Sequence, residues 1–399
     1  MTDVLHLDEL PSDVLLLIFD FCHAFDLVRL SEVCTRFHGI IKNDVCWIKK
    51  SKQALVTNQS SKRFKDRCYG LLQLRNKWHV SQNWKDGKYS KRTYLTQKTK
   101  LMPWLQLTSN TLWWGAGTQI LGFRRTARFN PIEPIFKVDT NDSDVCRFVV
   151  KECRVLGGFR DGSVRCWDGL TNEEIFNAQD AHASDINAID MTSDVIITGS
   201  RDRTVKIWAT RIYNNSVPLA AVNLLDRIWS LAADPTSLTF CTGSAGNNSI
   251  PPLHIFDIEC GKEISEFRHR WRRGAGILDI IWNDPQTLLT CGYDTYIRKW
   301  DIRSGTCVGA WADPTDATVY CLSTDYRYTM VSGTQFNGES VLWDQRKKKF
   351  VQLYQHRCSS PVYSISFDSC YLYGAMDQCL FQLKFSGYGY EEKNYRDLF

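Results

Sequence analysis

The chain reads as mainly β, a seven-bladed β-propeller preceded by a small three-helix module and a linker. Three observations carry that expectation. A turn followed by an alternating strand recurs along most of the sequence, and its endings fall at near-constant intervals. In residues 1–48, by contrast, the apolar positions step by three and four, the spacing of helices.

The recurring unit is clearest at residues 198–208, T-G-S-R-D-R-T-V-K-I-W. Small and charged residues make the turn. Val205 and Ile207 then fall on one face of a strand, with Thr204, Lys206 and Trp208 on the other. Residues 157–167 (G-G-F-R-D-G-S-V-R-C-W) and 292–300 (G-Y-D-T-Y-I-R-K-W) repeat it. The same offset lands on Phe123, Phe256, Trp343 and Leu383, so the endings are 123, 167, 208, 256, 300, 343 and 383. The intervals of 44, 41, 48, 44, 43 and 40 residues match one four-stranded blade each, and the longest coincides with a turn-rich insertion at 243–252. Closing seven blades into a ring protects most sheet edges. Tyr89, Thr93 and Leu95 alternate as a strand at 88–95, placed to complete the last blade and remove its exposed edge.

These units resemble WD40 repeats. Trp167-Asp168, Trp300-Asp301 and Trp343-Asp344 keep the dipeptide, Phe256-Asp257 approximates it, and Ala181-His182, Arg268-His269 and Gln355-His356 stand at the Gly-His position. The endings of the first and last blades depart from the pattern. The resemblance implies a propeller over residues 101–385 and a structural tetrad in the third blade, His182, Ser200, Asp202 and Trp208. In it a buried histidine bridges the turn aspartate and the strand hydroxyl, which bonds onward to the tryptophan. A Ser-His-Asp trio invites a catalytic reading. Buried polar groups must find partners, however, and a structural network supplies them. His269, Asp294 and Trp300 make an incomplete copy in the fifth blade.

Leu10-Pro11-Ser12-Asp13 opens a first helix carrying Val14, Leu15, Ile18, Phe19 and Cys22. A second helix is expected from Asp26, with Leu27, Leu30, Val33, Cys34, Phe37, Ile40 and Ile41 on its apolar positions. A short third element carries Val45, Trp47 and Ile48. So small a module needs a partner to bury its apolar surface. The order L-P-x-x-V-L-x-x-I-F, D-L, L-x-x-V-C-x-x-F and W resembles an F-box. That resemblance implies docking onto Skp1, and through it onto cullin and RING subunits, by way of Leu10, Pro11, Leu15, Ile18, Phe19, Leu27, Leu30, Val33, Cys34, Phe37 and Trp47.

An F-box followed by seven WD repeats resembles the F-box/WD-repeat substrate receptors of ubiquitin ligases. The implied protein is a non-catalytic receptor whose propeller binds the protein to be ubiquitinated. A scaffold that assembles proteins without ubiquitin transfer is the rival reading. On the family's loops at one rim stand Arg160, Arg201, Arg227, Arg270, Trp271, Arg272 and Arg273. Arginine forks suit carboxylates and phosphates, and tryptophan offers a flat anchor, so these residues are candidates for an acidic or phosphorylated degron.

Composition agrees. The sequence has no phosphate-binding loop, nucleophile elbow or zincin motif, so no catalysis is expected. Its fifteen cysteines are scattered without a C-x-x-C pair, which points to a reducing compartment, cytosol or nucleus, with no disulfide framework, metal or cofactor. It has neither an apolar run of membrane-spanning length nor a secretory leader pattern, so no membrane partner is expected. Residues 42–100 hold sixteen Lys/Arg against three Asp/Glu, although the whole chain is only +5. We read 49–100 as a basic, partly helical linker whose charge is solvated or faces acidic protein, nucleic acid being disfavoured. The segment 386–399 lacks periodicity and is expected to be an irregular tail.

Overall fold

The computed structural model describes residues 6–393 and 395, apart from 95–101, 127–132, 211–216, 235, 237, 248–249, 268, 357–358 and 394. Seven four-stranded antiparallel sheets follow one another along the chain as the blades of a propeller. The first six span 104–139, 145–178, 188–223, 228–266, 277–312 and 319–354. The seventh takes three strands from 364–384, and Ser90–Tyr94 as its fourth. That closing strand pairs antiparallel with Leu380–Lys384, from Ser90 opposite Lys384 to Tyr94 opposite Leu380. Leu95, where the expected strand ends, lies outside the described residues, as does Arg268. All seven endings read from the sequence lie in the third strand of their blade.

Side chains tie neighbouring blades together near the axis, where innermost strands do not pair with one another. The amides of Leu105, Val150, Ala233 and Leu322 donate to Ser364 Oγ (3.0 Å), Gln106 Oε1 (2.9 Å), Asp190 Oδ2 (2.8 Å) and Asp279 Oδ2 (3.0 Å). Each acceptor belongs to the preceding blade, so backbone groups that the ladder leaves over are still satisfied. The turns between second and third strands share one construction. Asp161, Asp202 and Asp294 accept the amide two residues on, at 2.9, 2.9 and 3.3 Å. The intervening residue is left-handed in each: Gly162 (φ 87°), Arg203 (φ 75°) and Thr295 (φ 68°). A side chain at Gly162 would place its Cβ 2.1 Å from the His182 carbonyl oxygen, so glycine is required there.

The N-terminal module has one more helix than expected. After α1 (Ser12–Phe21), the single helix read from Asp26 onward is instead α2 (Ala24–Leu30) and α3 (Thr35–Lys42). Ser31 and Cys34 make the break. The Ser31 hydroxyl bonds back to Val28 O at 2.6 Å, and the Cys34 sulfur caps α3 by accepting from the Phe37 amide at 3.4 Å. Local bonds of this kind compete with helix continuation, and Val33 and Thr35 are β-branched.

The region beyond it is a fitted joint rather than a free linker. It contains α4 (Ile48–Lys52), α5 (Lys62–Lys65) and α6 (Leu74–Lys85). One side of α6 presents Leu74 and Trp78 to the helical module, while Val80 and Trp84 enter the core of the last blades. Trp84 stacks on Phe385 at 3.8 Å and donates to Ser369 O at 3.0 Å. Much of the basic charge is therefore engaged. Arg63 and Arg67 donate to Trp282 O and Thr324 O, both at 2.7 Å, across one end of the axial channel. Burial pushes the Arg67 guanidinium below its ordinary pKa. Arg125 donates to Arg67 O at 2.8 Å and forms a fully buried ion pair with Asp368. The tail is anchored as well: Tyr388 stacks on His79 at 4.3 Å, and the Lys393 amide donates to Gly87 O at 3.1 Å.

Candidate functional site: two docking surfaces

The helical module sorts its apolar residues into a core and a surface. Leu15, Phe19, Leu27, Phe37 and Trp47 form the module's own core and are sealed from any partner. Phe19 meets Phe37 edge-on at 5.5 Å, and Trp47 Nε1 donates to Ile41 O at 2.8 Å. These five docking candidates are therefore corrected to structural residues. Leu10, Ile18, Leu30 and Cys34 are half-buried, and Pro11 and Val33 are exposed. Sequence reasoning missed Leu17, Phe21 and Phe25, which are 66%, 90% and 60% exposed. Residues two apart on a helix point to nearly opposite faces, so Leu17 and Phe21 look outward because Leu15 and Phe19 look inward. The signal was available: α1 carries apolar residues around its whole circumference, more than one buried stripe needs.

In the third blade a four-membered relay forms, with one correction to its membership. Trp208 Nε1 donates to Thr198 Oγ1 at 3.0 Å, Thr198 lies 2.7 Å from His182 Nε2, and His182 Nδ1 lies 3.0 Å from Asp202 Oδ2. The hydroxyl is that of Thr198, not Ser200. Trp208 pairs with Ile196, which leaves Ser200 two residues farther along the ladder than Thr198, about 7 Å beyond reach. Ser200 instead donates to Ser184 O at 3.0 Å. Burial, opposed by Asp202, holds His182 below its ordinary pKa, so the imidazole is neutral, donates from Nδ1 and accepts from Thr198. Burial would raise Asp202, but its bonds from Thr204, the neighbouring His182 and the Ala183 amide outweigh that and hold it low. Thr198 leaves the trio without a reactive serine, and the relay is a brace. Trp300 with Thr290 and Trp343 with Ser332 repeat its outer bond at 2.9 Å. His269 does not join Asp294: it stands edge-on to Trp300 at 5.4 Å, while Arg298 takes the carboxylate.

Antiparallel blades place every loop between second and third strands, and every loop between blades, at the same end of the ring. Arg160, Arg201, Arg227, Arg270, Arg272 and Arg273 share that end and are exposed. Arg160 and Arg201 stand 3.8 Å from Asp144 and Asp185, pairings too loose and solvated to neutralise them. Trp271 departs from the expectation of an anchor open to ligand. It is half-buried and stacked on Trp300 at 5.1 Å, because the connection before the fifth blade folds back over the third strand.

The mouth of the axial channel at this end was not read from the sequence. It is lined by Trp104, Cys146, Asn187, Trp229, Leu278, Tyr320 and Tyr363. Each stands at the start of an innermost strand, and six of them sit at the centre of triplets such as Ile228-Trp229-Ser230 and Val319-Tyr320-Cys321. Aligning the repeats at their first strands, rather than their endings, would have found this ring. Beneath it Arg147 lies 3.5 Å over the Trp104 ring and pairs across the channel with Asp279 at 2.9 Å. The mouth is thus aromatic and nearly uncharged, with the exposed arginines set around it.

Comparison with known proteins agrees with both modules. The F-box-like family model matches residues 7–53, and the model of the WD domain, G-beta repeat, matches 174–209. F-box/WD repeat-containing protein 4 of Mus musculus is 32% identical over 386 residues, covering 94% of this chain and 93% of that protein. Its Homo sapiens counterpart is 31% identical, covering 94% and 92%. Among solved structures, the computationally designed Ika8 protein aligns with TM-score 0.53 and 20% identity over 70% of this chain and 82% of its own, a likeness of fold alone. The chain belongs to the F-box/WD-repeat-containing protein family.

Proposed function

We propose that this protein is the substrate-recognition subunit of an SCF-type ubiquitin ligase, its F-box docking onto Skp1 and its propeller holding the protein to be modified. The observation that carries the reading is the outward apolar set Leu17, Phe21, Phe25 and Val33 on a module whose core is already filled. Exposed large apolar side chains on a small helical unit fit a helix-in-groove partner. The fitted joint supports the second half: α6 packs on the F-box and the propeller at once, which sets a fixed distance between adaptor and substrate. The chain's part is positioning, which raises the effective concentration of a substrate lysine near the ubiquitin thioester. At the propeller mouth, aromatic side chains ringed by arginines suit a segment with an apolar anchor and acidic or phosphorylated flanks.

The test is recovery of Skp1 and cullin with the tagged full chain. Leu17→Glu with Phe21→Glu abolishes recovery while leaving the melting temperature unchanged. Undiminished recovery would refute the docking surface, and recovery of Skp1 without cullin would favour a scaffold.

A further inference from the structure

One concentration of charge is not absorbed by that reading. Between the F-box and α6 runs a groove of about 370 Å³ with Phe21, Ala24 and Trp78 among its walls. Trp78 is held by Phe25 at 5.0 Å and Trp47 at 5.9 Å, so this apolar floor is fixed. Lys50 and Lys85 line the same groove. A sixth-blade connection adds to them: Arg346 reaches the carbonyl of Gln53, another groove residue, at 3.5 Å, and Lys347, Lys348 and Lys349 follow it, all exposed.

Part of the positive charge here has no carboxylate beside it among the described residues. Asp20 is taken by Lys49, Asp86 by Lys88 at 3.2 Å, and the buried Asp344 by Arg346 through two contacts of 2.8 Å. Among the described residues neither Lys50 nor Lys347 has a carboxylate within 4 Å. Lys50 instead donates to the carbonyls of Phe19 and Asp20, at 3.4 and 3.3 Å, where α1 ends. Burial, then the charge of Lys347, opposed by Asp344 and Asp86 and aided by Arg346, holds Lys85 below its ordinary pKa, which places these groups close together.

We propose that this groove docks an acidic, amphipathic peptide segment of a protein partner, its apolar anchor on Phe21, Ala24 and Trp78 and its carboxylates over Lys50 and Lys347. A nucleic-acid backbone would satisfy the cations but leave the apolar floor unused; an amphipathic segment uses both. The groove is continuous with the F-box surface at Phe21, so a partner seated on one can extend into the other. This site draws on the linker and the sixth blade and stands whether or not the F-box recruits a ligase.

The experiment is fluorescence anisotropy on the full chain with a short labelled peptide of glutamates around a Trp-Leu-Leu anchor. Its all-glutamine twin and an oligothymidylate are the comparisons. The acidic peptide binds at least about ten-fold tighter than the twin, binds more weakly as salt is added, and loses about ten-fold on Lys50→Glu with Lys347→Glu. Should that variant fail to fold, Lys50→Gln with Lys347→Gln carries the same expectation at smaller size. Equal binding of the two peptides, an unaltered double variant, or tighter binding of oligothymidylate would each overturn the proposal.

Discussion

Thr198→Val isolates the brace of the third blade. Valine fills nearly the same space as threonine but removes the one oxygen shared by Trp208 Nε1 and His182 Nε2. Both nitrogens sit among buried residues, and an orphaned buried group costs about 1–3 kcal/mol, so the variant loses about 2–6 kcal/mol. Ser200→Ala removes the bond to Ser184 O and the one accepted from the Asp202 amide at 3.1 Å, and costs about 1–2 kcal/mol. Adding Trp208→Phe to Thr198→Val removes one orphan, so the double variant loses less than the sum of the singles by about 1–2 kcal/mol. Equilibrium urea unfolding, followed by tryptophan fluorescence and far-UV circular dichroism, reads the wild type, the three single variants and the double variant, and the two probes must coincide. A Thr198→Val cost below about 0.5 kcal/mol, or a larger cost for Ser200→Ala, would refute the assignment of Thr198 to the relay.

Acid should weaken the fold through its buried histidines. Burial, aided by Lys91, depresses His356 to about 3, against 6.5 in an unfolded chain. The unfolded state therefore takes up its proton first, and stability falls as pH drops below about 6.5, by up to about 1.4 kcal/mol per pH unit for this residue. His356→Gln flattens that limb in a urea series across pH, and an unchanged slope would remove His356 as the cause. Leu15→Glu, unlike the Leu17 and Phe21 changes, buries a charge in a core and unfolds the helical module, which limited proteolysis detects. Arg125→Leu leaves Asp368 buried without its cation, costs about 3–5 kcal/mol and exposes residues 60–72 to protease; Arg125→Leu with Asp368→Asn, which keeps an acceptor for the Cys370 and Tyr371 amides, recovers part of the loss. Arg272→Glu with Arg273→Glu weakens substrate capture without lowering the melting temperature, whereas Trp271→Ala lowers it by loosening the stack on Trp300.

The ring was legible because strand endings repeat at a fixed interval, and a repeat is a statement about the whole chain rather than one segment. Which apolar residues of the helical module face outward was harder to read, for a geometric reason. An F-box pattern marks apolar positions without saying whether each points inward, and Leu15 and Leu17 differ only by a rotation about α1. Ser200 misled because it shares a strand face with Thr198, so only the cross-strand register separates them. The channel mouth escaped because Cys146, Asn187, Trp229 and Leu278 have no chemistry in common. Their equivalence is positional. The joint at 49–88 looked like a charged tether, since arginines that cap backbone carbonyls and arginines that face water are identical in a sequence.

The pairing of Ser90–Tyr94 with Leu380–Lys384 also has a bearing on biosynthesis. The closing strand leaves the ribosome early, and its partner follows about 290 residues later, a wait of roughly 15–60 s at ordinary translation speeds. Until then the closing strand has no partner, and an unpaired strand of this kind recruits chaperones or a neighbouring chain. A transcript cut short before the last blade would leave that strand unpaired permanently, and its product should be cleared or aggregate even though six blades are complete.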